Sequence, residues 1–176
     1  MKRISIYRKL MVVAGCVALV CSANVGVSFA AQDSLDVSVD AKATVVTPIA
    51  FTSKKELNFG SFFAGAGTET KVTIAAADGT RTKDTGTAVE FGSLAGNQAG
   101  EVIFTGDASQ NYLAVVDPNV SLTHTDTKTT MAATLIGTGL TGTGGGTVKV
   151  GGDLTVASAQ KPGVYSGTFH VIISYN

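Results

Sequence analysis

Apolar and polar residues alternate along the end of this chain. Tyr165, Phe169, Val171, Ile173 and Tyr175 occupy odd positions, while Ser166, Thr168, His170, Ser174 and Asn176 occupy even ones. A period of two predicts a β-strand with one buried face. The pattern continues to Asn176, which predicts a terminus held in a sheet. Each buried side chain of this size is worth about 1.5–3 kcal/mol as an upper bound. The surface that accepts this face is therefore central to folding.

The same rhythm opens the body of the chain. Leu35, Val37, Val39, Ala41, Ala43 and Val45 alternate with Asp36, Ser38, Asp40, Lys42 and Thr44, and Ile49 and Phe51 keep the phase beyond Pro48. Proline cannot donate to a ladder, so this stretch is an edge or bends there. Residues 33–46 exceed the usual strand of about 5–6 residues. Either the strand changes sheet at Pro48, or its first half leaves the body. A free alternating strand is a template for pairing with another chain. Asp36 and Asp40 on its polar face, with Asp33 just ahead of the apolar run, keep it soluble.

Short alternating runs fill the interval. Leu57 and Phe59 close at Gly60; Val72, Ile74 and Ala76 end at Asp78-Gly79. Val89 with Phe91 and Val102 with Phe104 follow, then Tyr112 to Val116, stopped by Asp117-Pro118. Val120 and Leu122 precede a Thr-rich loop, and Met131 to Leu135 ends at the Gly137–Gly146 tract. Val148 and Val150, then Leu154 and Val156, read as a hairpin across Gly151-Gly152, and Lys161-Pro162-Gly163 turns into the last strand. No stretch of 10–12 residues carries helical spacing. Nine or ten strands predict an all-β chain, an immunoglobulin-like antiparallel β-sandwich.

The first thirty residues are different. Lys2, Arg3, Arg8 and Lys9 precede a nearly apolar run from Leu10 to Ala23, and Ser28-Phe29-Ala30 follows. This predicts a secretory signal peptide over residues 1–30, cut after Ala30. An uncleaved anchor would need about 20 apolar residues, and Ser22 and Asn24 interrupt the run too early. A lipobox reading of Val13-Ala14-Gly15-Cys16 would leave an apolar region shorter than about 7 residues before the cut. Removing 30 of 176 residues leaves 146, enough for one β-sandwich domain over 31–176, with 31–46 a donor-strand-like leader. The expected destination is the periplasm, the cell surface or an extracellular fibre.

Processing changes the available chemistry. Both cysteines, Cys16 and Cys21, lie in the signal, so the mature chain has no thiolate, disulfide or cysteine-ligated metal. It carries 9 basic and 13 acidic residues, a net charge of −4, with Arg81 its only arginine. Nucleic-acid binding is disfavoured by that balance, and no membrane span is expected after processing. Gly137-Thr138-Gly139-Leu140-Thr141-Gly142 has the letters of a dinucleotide loop, but Gly and Thr continue on both sides where a helix is required. His124 and His170 have no assembled nucleophile or ligand partners in the sequence. No carboxylate pair stands out for glycoside hydrolysis. No catalytic residue, cofactor or metal is expected.

Four segments carry a resemblance. They are Thr44-Val45-Val46-Thr47-Pro48-Ile49, Leu57-Asn58-Phe59-Gly60-Ser61-Phe62, Asp78-Gly79-Thr80-Arg81 and Pro162-Gly163-Val164-Tyr165-Ser166-Gly167-Thr168-Phe169 through Tyr175-Asn176. In that order they resemble a family of secreted bacterial β-proteins described only as a domain of unknown function. More distantly, the chain resembles archaic chaperone–usher fimbrial subunits related to spore coat protein U. Gly163, fourteenth from the end, and the penultimate Tyr175 match positions that many pilins share. Many such subunits have a disulfide, and the lack of cysteine in the mature chain departs from that group.

The fimbrial resemblance implies a structural subunit whose sandwich lacks a strand. A periplasmic chaperone and an usher would be partners, and the leader of the next subunit would complete the sheet. Leu35, Val37 and Val39 would be the inserted side chains. Gly163, Tyr165, Phe169, Val171, Ile173 and Tyr175 would form the receiving strand. Head-to-tail pairing does not close, so it builds filaments. The other reading is a self-complete sandwich that binds a surface glycan or another envelope protein.

Overall fold

The computed structural model describes residues 34–94 and 96–176. The chain forms two units, Met1–Lys42 and Ala43–Asn176. The signal reading and its cleavage point at Ala30 lie outside the described residues. In the first unit, residues 34–42 are exposed and carry no strand. The strand expected from Leu35 onward therefore does not form within the chain: no residue from Ser34 to Ile49 lies in a strand.

The second unit is all-β, with no helix among the described residues. It begins with β1 (Ala50–Lys55), β2 (Asn58–Phe59), β3 (Phe63–Ala64), β4 (Thr70–Ile74) and β5 (Arg81–Lys83). Then come β6 (Val89–Glu90), β7 (Asn97–Gln98), β8 (Gly100–Thr105), β9 (Asn111–Val116) and β10 (Asn119–His124). The last five are β11 (Thr130–Thr138), β12 (Thr141–Thr143), β13 (Gly146–Val156), β14 (Tyr165–Ser166) and β15 (Val171–Tyr175).

An antiparallel sheet in the order β1-β8-β13-β11-β10-β14, with β4 joined to β13 and β5 to β4, curls into a half-barrel. A second sheet runs β12-β9-β15, and β2–β7 and β3–β6 form two small ladders. The two larger sheets meet where Phe104 of β8 packs edge-on against Tyr112 of β9, ring centres 4.8 Å apart. Val72, Ile74, Val148, Val150, Leu154 and Val156 form the buried centre. Each lies at the apolar phase of its strand, as the alternation requires.

Two elements differ from the expectation. Gly151-Gly152 is not a hairpin. β13 runs straight through it, pairing with β8 over its first half, β4 over its second and β11 across. A Cβ at Gly151 would lie 2.1 Å from the Ile74 carbonyl oxygen, and one at Gly152 2.3 Å from that of Thr134. The glycines therefore permit close backbone approach inside a strand. The terminal run is also not one strand. β14 pairs with β10 in the first sheet, while β15 pairs with β9 in the second. The chain changes sheets across Gly167–His170, which keeps the side-chain phase but divides the ladder.

Candidate functional site: an open apolar groove

The half-barrel leaves a groove of about 1250 Å³ along one face. Its floor is Val120, Leu122, Met131 and Leu154, from β10, β11 and β13. One wall is the stretch from Leu57 to Ala64; the other runs from Lys161 to Ile172. Of the residues named for strand exchange, Gly163, Tyr165, Phe169 and Val171 line the groove, whereas Ile173 and Tyr175 continue along β15 beyond the lining. The alternation proves correct in phase and incomplete in burial. Tyr165, Phe169, Val171, Ile173 and Tyr175 are all only half-buried, and every residue between Tyr165 and Asn176 at an even position is exposed. The face that ought to be covered is partly open.

β15 is also an edge. Its one strand neighbour among the described residues is β9. The N–H of Asp117 donates to the carbonyl of His170 at 3.1 Å, and the N–H of Asn176 donates to that of Asn111 at 3.0 Å. In an antiparallel ladder the backbone groups of successive residues point to alternate sides. Even-numbered residues therefore bond to β9, and Val171, Ile173 and Tyr175 direct their N–H and C=O groups away from it. Half-buried apolar side chains and main-chain groups without a partner among the described residues occur on the same residues.

Each wall is pinned by one polar side chain that sequence reasoning missed as a site residue. Arg81 donates to the carbonyls of Phe59 (3.2 Å), Ser61 (2.9 Å) and Leu94 (2.7 Å), and its guanidinium lies 4.0 Å from the centre of the Phe91 ring. Its planar fork satisfies several carbonyls at once, which an ammonium cannot reproduce. Partial burial lowers its pKa from the ordinary arginine value. Arg81→Lys is expected to lower unfolding free energy by about 1.5–3 kcal/mol, the usual range for hydrogen bonds to a charged group, measured by urea denaturation.

His124 pins the opposite wall. Its Nδ1 accepts from the N–H groups of Asp126 (3.0 Å) and Thr127 (3.1 Å), so that nitrogen carries no proton. The Nε2–H therefore donates to the Pro162 carbonyl at 3.0 Å. The ring packs edge-on against Tyr165, centroids 4.9 Å apart, and is 5% exposed. Gly163 passes so close that a Cβ would stand 2.1 Å from Nε2. A signal was present in the sequence: His124 shares the buried phase of Val120 and Leu122.

Tyr175 secures the start of the second unit. Its hydroxyl accepts from the Asp107 N–H at 2.6 Å and donates to the Thr47 carbonyl. The Thr47 N–H donates to the Asp107 carboxylate at 3.0 Å. Tyr175→Phe removes both hydroxyl bonds and is expected to cost about 1–2 kcal/mol, read from the urea midpoint.

Asp107 is held below the ordinary carboxylate range, first by the Ser109 side chain and then by the N–H groups of Thr47 and Ser109. Asp117 is held below it by the backbone N–H of His170 and then the His170 side chain. A carboxylate whose folded pKa is depressed stabilises the fold above its unfolded pKa, and that contribution disappears as pH falls through the folded value. Melting temperature should therefore fall on acidification below about pH 4. Asp107→Asn with Asp117→Asn should flatten that acid limb in a thermal-melt series.

Other chemistry is sparse. Among the described residues no group of three or more His, Cys, Asp or Glu side chains is placed to hold a metal ion. No described helix is long and apolar enough to cross a membrane. A smaller cavity of about 350 Å³ is polar, and its charges are engaged: Lys55 with Glu101 at 2.9 Å, Lys149 with the Ala77 carbonyl at 2.8 Å, and Asp78 with the Thr80 N–H at 2.9 Å. The Gly137–Gly142 motif forms the end of β11, a turn at Gly139 and part of β12, with no helix to receive a phosphate.

Neither the curated proteins nor the solved structures yield a match to this chain. A family comparison does, over residues 49–175, and its description carries no link to fimbrial or spore-coat proteins. The matched stretch opens one residue before β1 and closes on the last residue of β15, so it spans every described strand. The chain belongs to the family described as a domain of unknown function, DUF4402.

Proposed function

We propose that this protein is an exported, non-enzymatic structural subunit that joins its neighbours by β-strand addition. The observation that carries the reading is the groove beside an unpaired edge. Val171 both lines the groove and directs free main-chain groups outward, and it continues into Ile173 and Tyr175. An extended strand laid along β15 would gain main-chain hydrogen bonds and place alternate side chains over Val120, Leu122, Met131 and Leu154. In this reading the unit is an immunoglobulin-like sandwich lacking one strand.

The occupant is the leader of a second copy. Leu35, Val37 and Val39 alternate at strand spacing and are 89%, 62% and 85% exposed. Three exposed apolar side chains in a row with strand phase favour a partner that covers them. Because donor and acceptor surfaces differ, the contact is heterologous and grows as a filament. A periplasmic chaperone would occupy the groove before assembly, and an usher would order the exchange.

A peptide spanning residues 31–46 tests this. Added to the protein, it should occupy the groove and stop growth, measured by light scattering. The same peptide with Val37→Asp should lose at least about tenfold in potency, since burying one such side chain is worth about 1.5–3 kcal/mol. Growth that ignores the peptide would refute the reading. Saturable binding of a glycan in the groove, with no self-association, would favour a ligand-binding sandwich instead.

A further inference from the structure

We infer that the groove selects its incoming strand by charge, with Lys54 and Lys161 at its mouth receiving Asp36 and Asp40 of the next copy. This deepens the strand-addition reading and rests on it. The second unit is acidic as a whole, with 8 basic and 10 acidic residues from Ala43 to Asn176. Its groove reverses that sign: the Lys and acidic residues along the lining are Lys54, Lys55, Lys161 and Glu56. Lys55 is committed to Glu101. Lys54 stands on β1 and Lys161 ahead of β14, one on each side of the groove, and both are exposed.

The leader has the complementary pattern. Residues 33–42 carry Asp33, Asp36 and Asp40 against Lys42. Side chains of a strand alternate between faces. With Leu35, Val37 and Val39 turned into the groove, Asp36 and Asp40 face its mouth, where the lysines stand. Four residues of strand separate them by about 13 Å, so the two carboxylates meet different parts of the rim. The remaining titratable side chains on the lining are His170, whose Nδ1 faces Asp117 at 3.1 Å, and Tyr165, whose hydroxyl donates to the Lys161 carbonyl at 2.8 Å.

Charges at an exposed rim act chiefly on the rate of encounter and on its salt dependence. Association should therefore slow as salt rises from about 0.01 M to about 1 M, where the screening length falls to about 3 Å. The decisive experiment uses full-length protein expressed in a bacterium and recovered as that cell delivers it. Two variants are made, Lys54→Glu with Lys161→Glu, and Asp36→Lys with Asp40→Lys. Each alone brings like charges together and should assemble about tenfold more slowly than the parent, within the range that steering produces.

Mixed in equal amounts, the two variants place opposite charges at both junctions and should recover the parental rate, forming alternating copolymers. A misfolded variant could not be rescued by mixing. Variants that each assemble at the parental rate, or a mixture no faster than either component, would overturn the charge inference and leave strand addition standing. A parent protein that does not self-associate under any of these conditions would overturn both.

Discussion

A chain lacking Ala31–Asp40 is expected to keep its β fold and lose its oligomers. Residues 34–42 form no strand, while every described strand lies between Ala50 and Tyr175. The truncation also spares the bonds from Thr47 to Asp107 and Tyr175. What disappears is Leu35, Val37 and Val39, each worth about 1.5–3 kcal/mol when buried against a partner. Their joint loss corresponds to about a thousandfold or more in association. Light scattering after size exclusion should show only monomer. Circular dichroism should show the unchanged β signature, and the higher melting transition of assembled protein should vanish. Truncated protein that assembles like the parent would contradict the role given to this segment. Truncated protein that fails to fold would show that the leader serves its own domain.

The second large effect is expected at Gly163. Its φ of 147° is a conformation that side-chain-bearing residues rarely adopt. A methyl group there would stand 2.1 Å from His124 Nε2. Gly163→Ala therefore strains the backbone, by about 1–3 kcal/mol. It also displaces the ring that holds Pro162 and receives two N–H groups, adding a loss of about 1–3 kcal/mol for buried groups left unpaired. The sum is a large fraction of a typical domain stability of about 5–15 kcal/mol. Urea denaturation should show a midpoint shift far larger than that of Gly65→Ala. At Gly65 a Cβ would meet nothing within 4 Å. Equal stability of the two variants would mean that the wall is not fixed in the way the His124 contacts require.

Much of this was legible in the sequence because side-chain phase is a local property. Tyr165, Phe169, Val171, Ile173 and Tyr175 are half-buried between exposed neighbours, in the phase that their alternation demands, and the turn at Asp78-Gly79 lies between β4 and β5. Pairing is not local. Nothing in the letters around Gly167 reveals that the chain leaves one sheet for another, because the alternation carries across the change. Gly151-Gly152 reads as a turn, since a glycine required by a neighbouring backbone looks the same as one required by a positive φ.

The leader shows the converse limit. Its pattern is that of a strand, but a strand needs an edge to pair with, and periodicity does not say whose edge it is. The pinning roles of Arg81 and His124 were hidden for another reason, although the buried phase of His124 was readable. Their partners are carbonyls and N–H groups of distant or irregular backbone, which carry no side-chain signature. The open groove was legible only through its consequence, an apolar face at the end of the chain with more side chains than the domain covers.

Amide hydrogen exchange of β15, residue by residue, in monomeric and assembled protein bears most directly on whether a neighbour's strand pairs along this edge. The N–H groups of Ile172 and Ser174 point to β9 and should be protected in both forms. Those of Val171, Ile173 and Tyr175 should exchange freely in the monomer and become protected on assembly. If these three remain as fast in the assembled protein as in the monomer, no strand is added there, and the groove has another purpose.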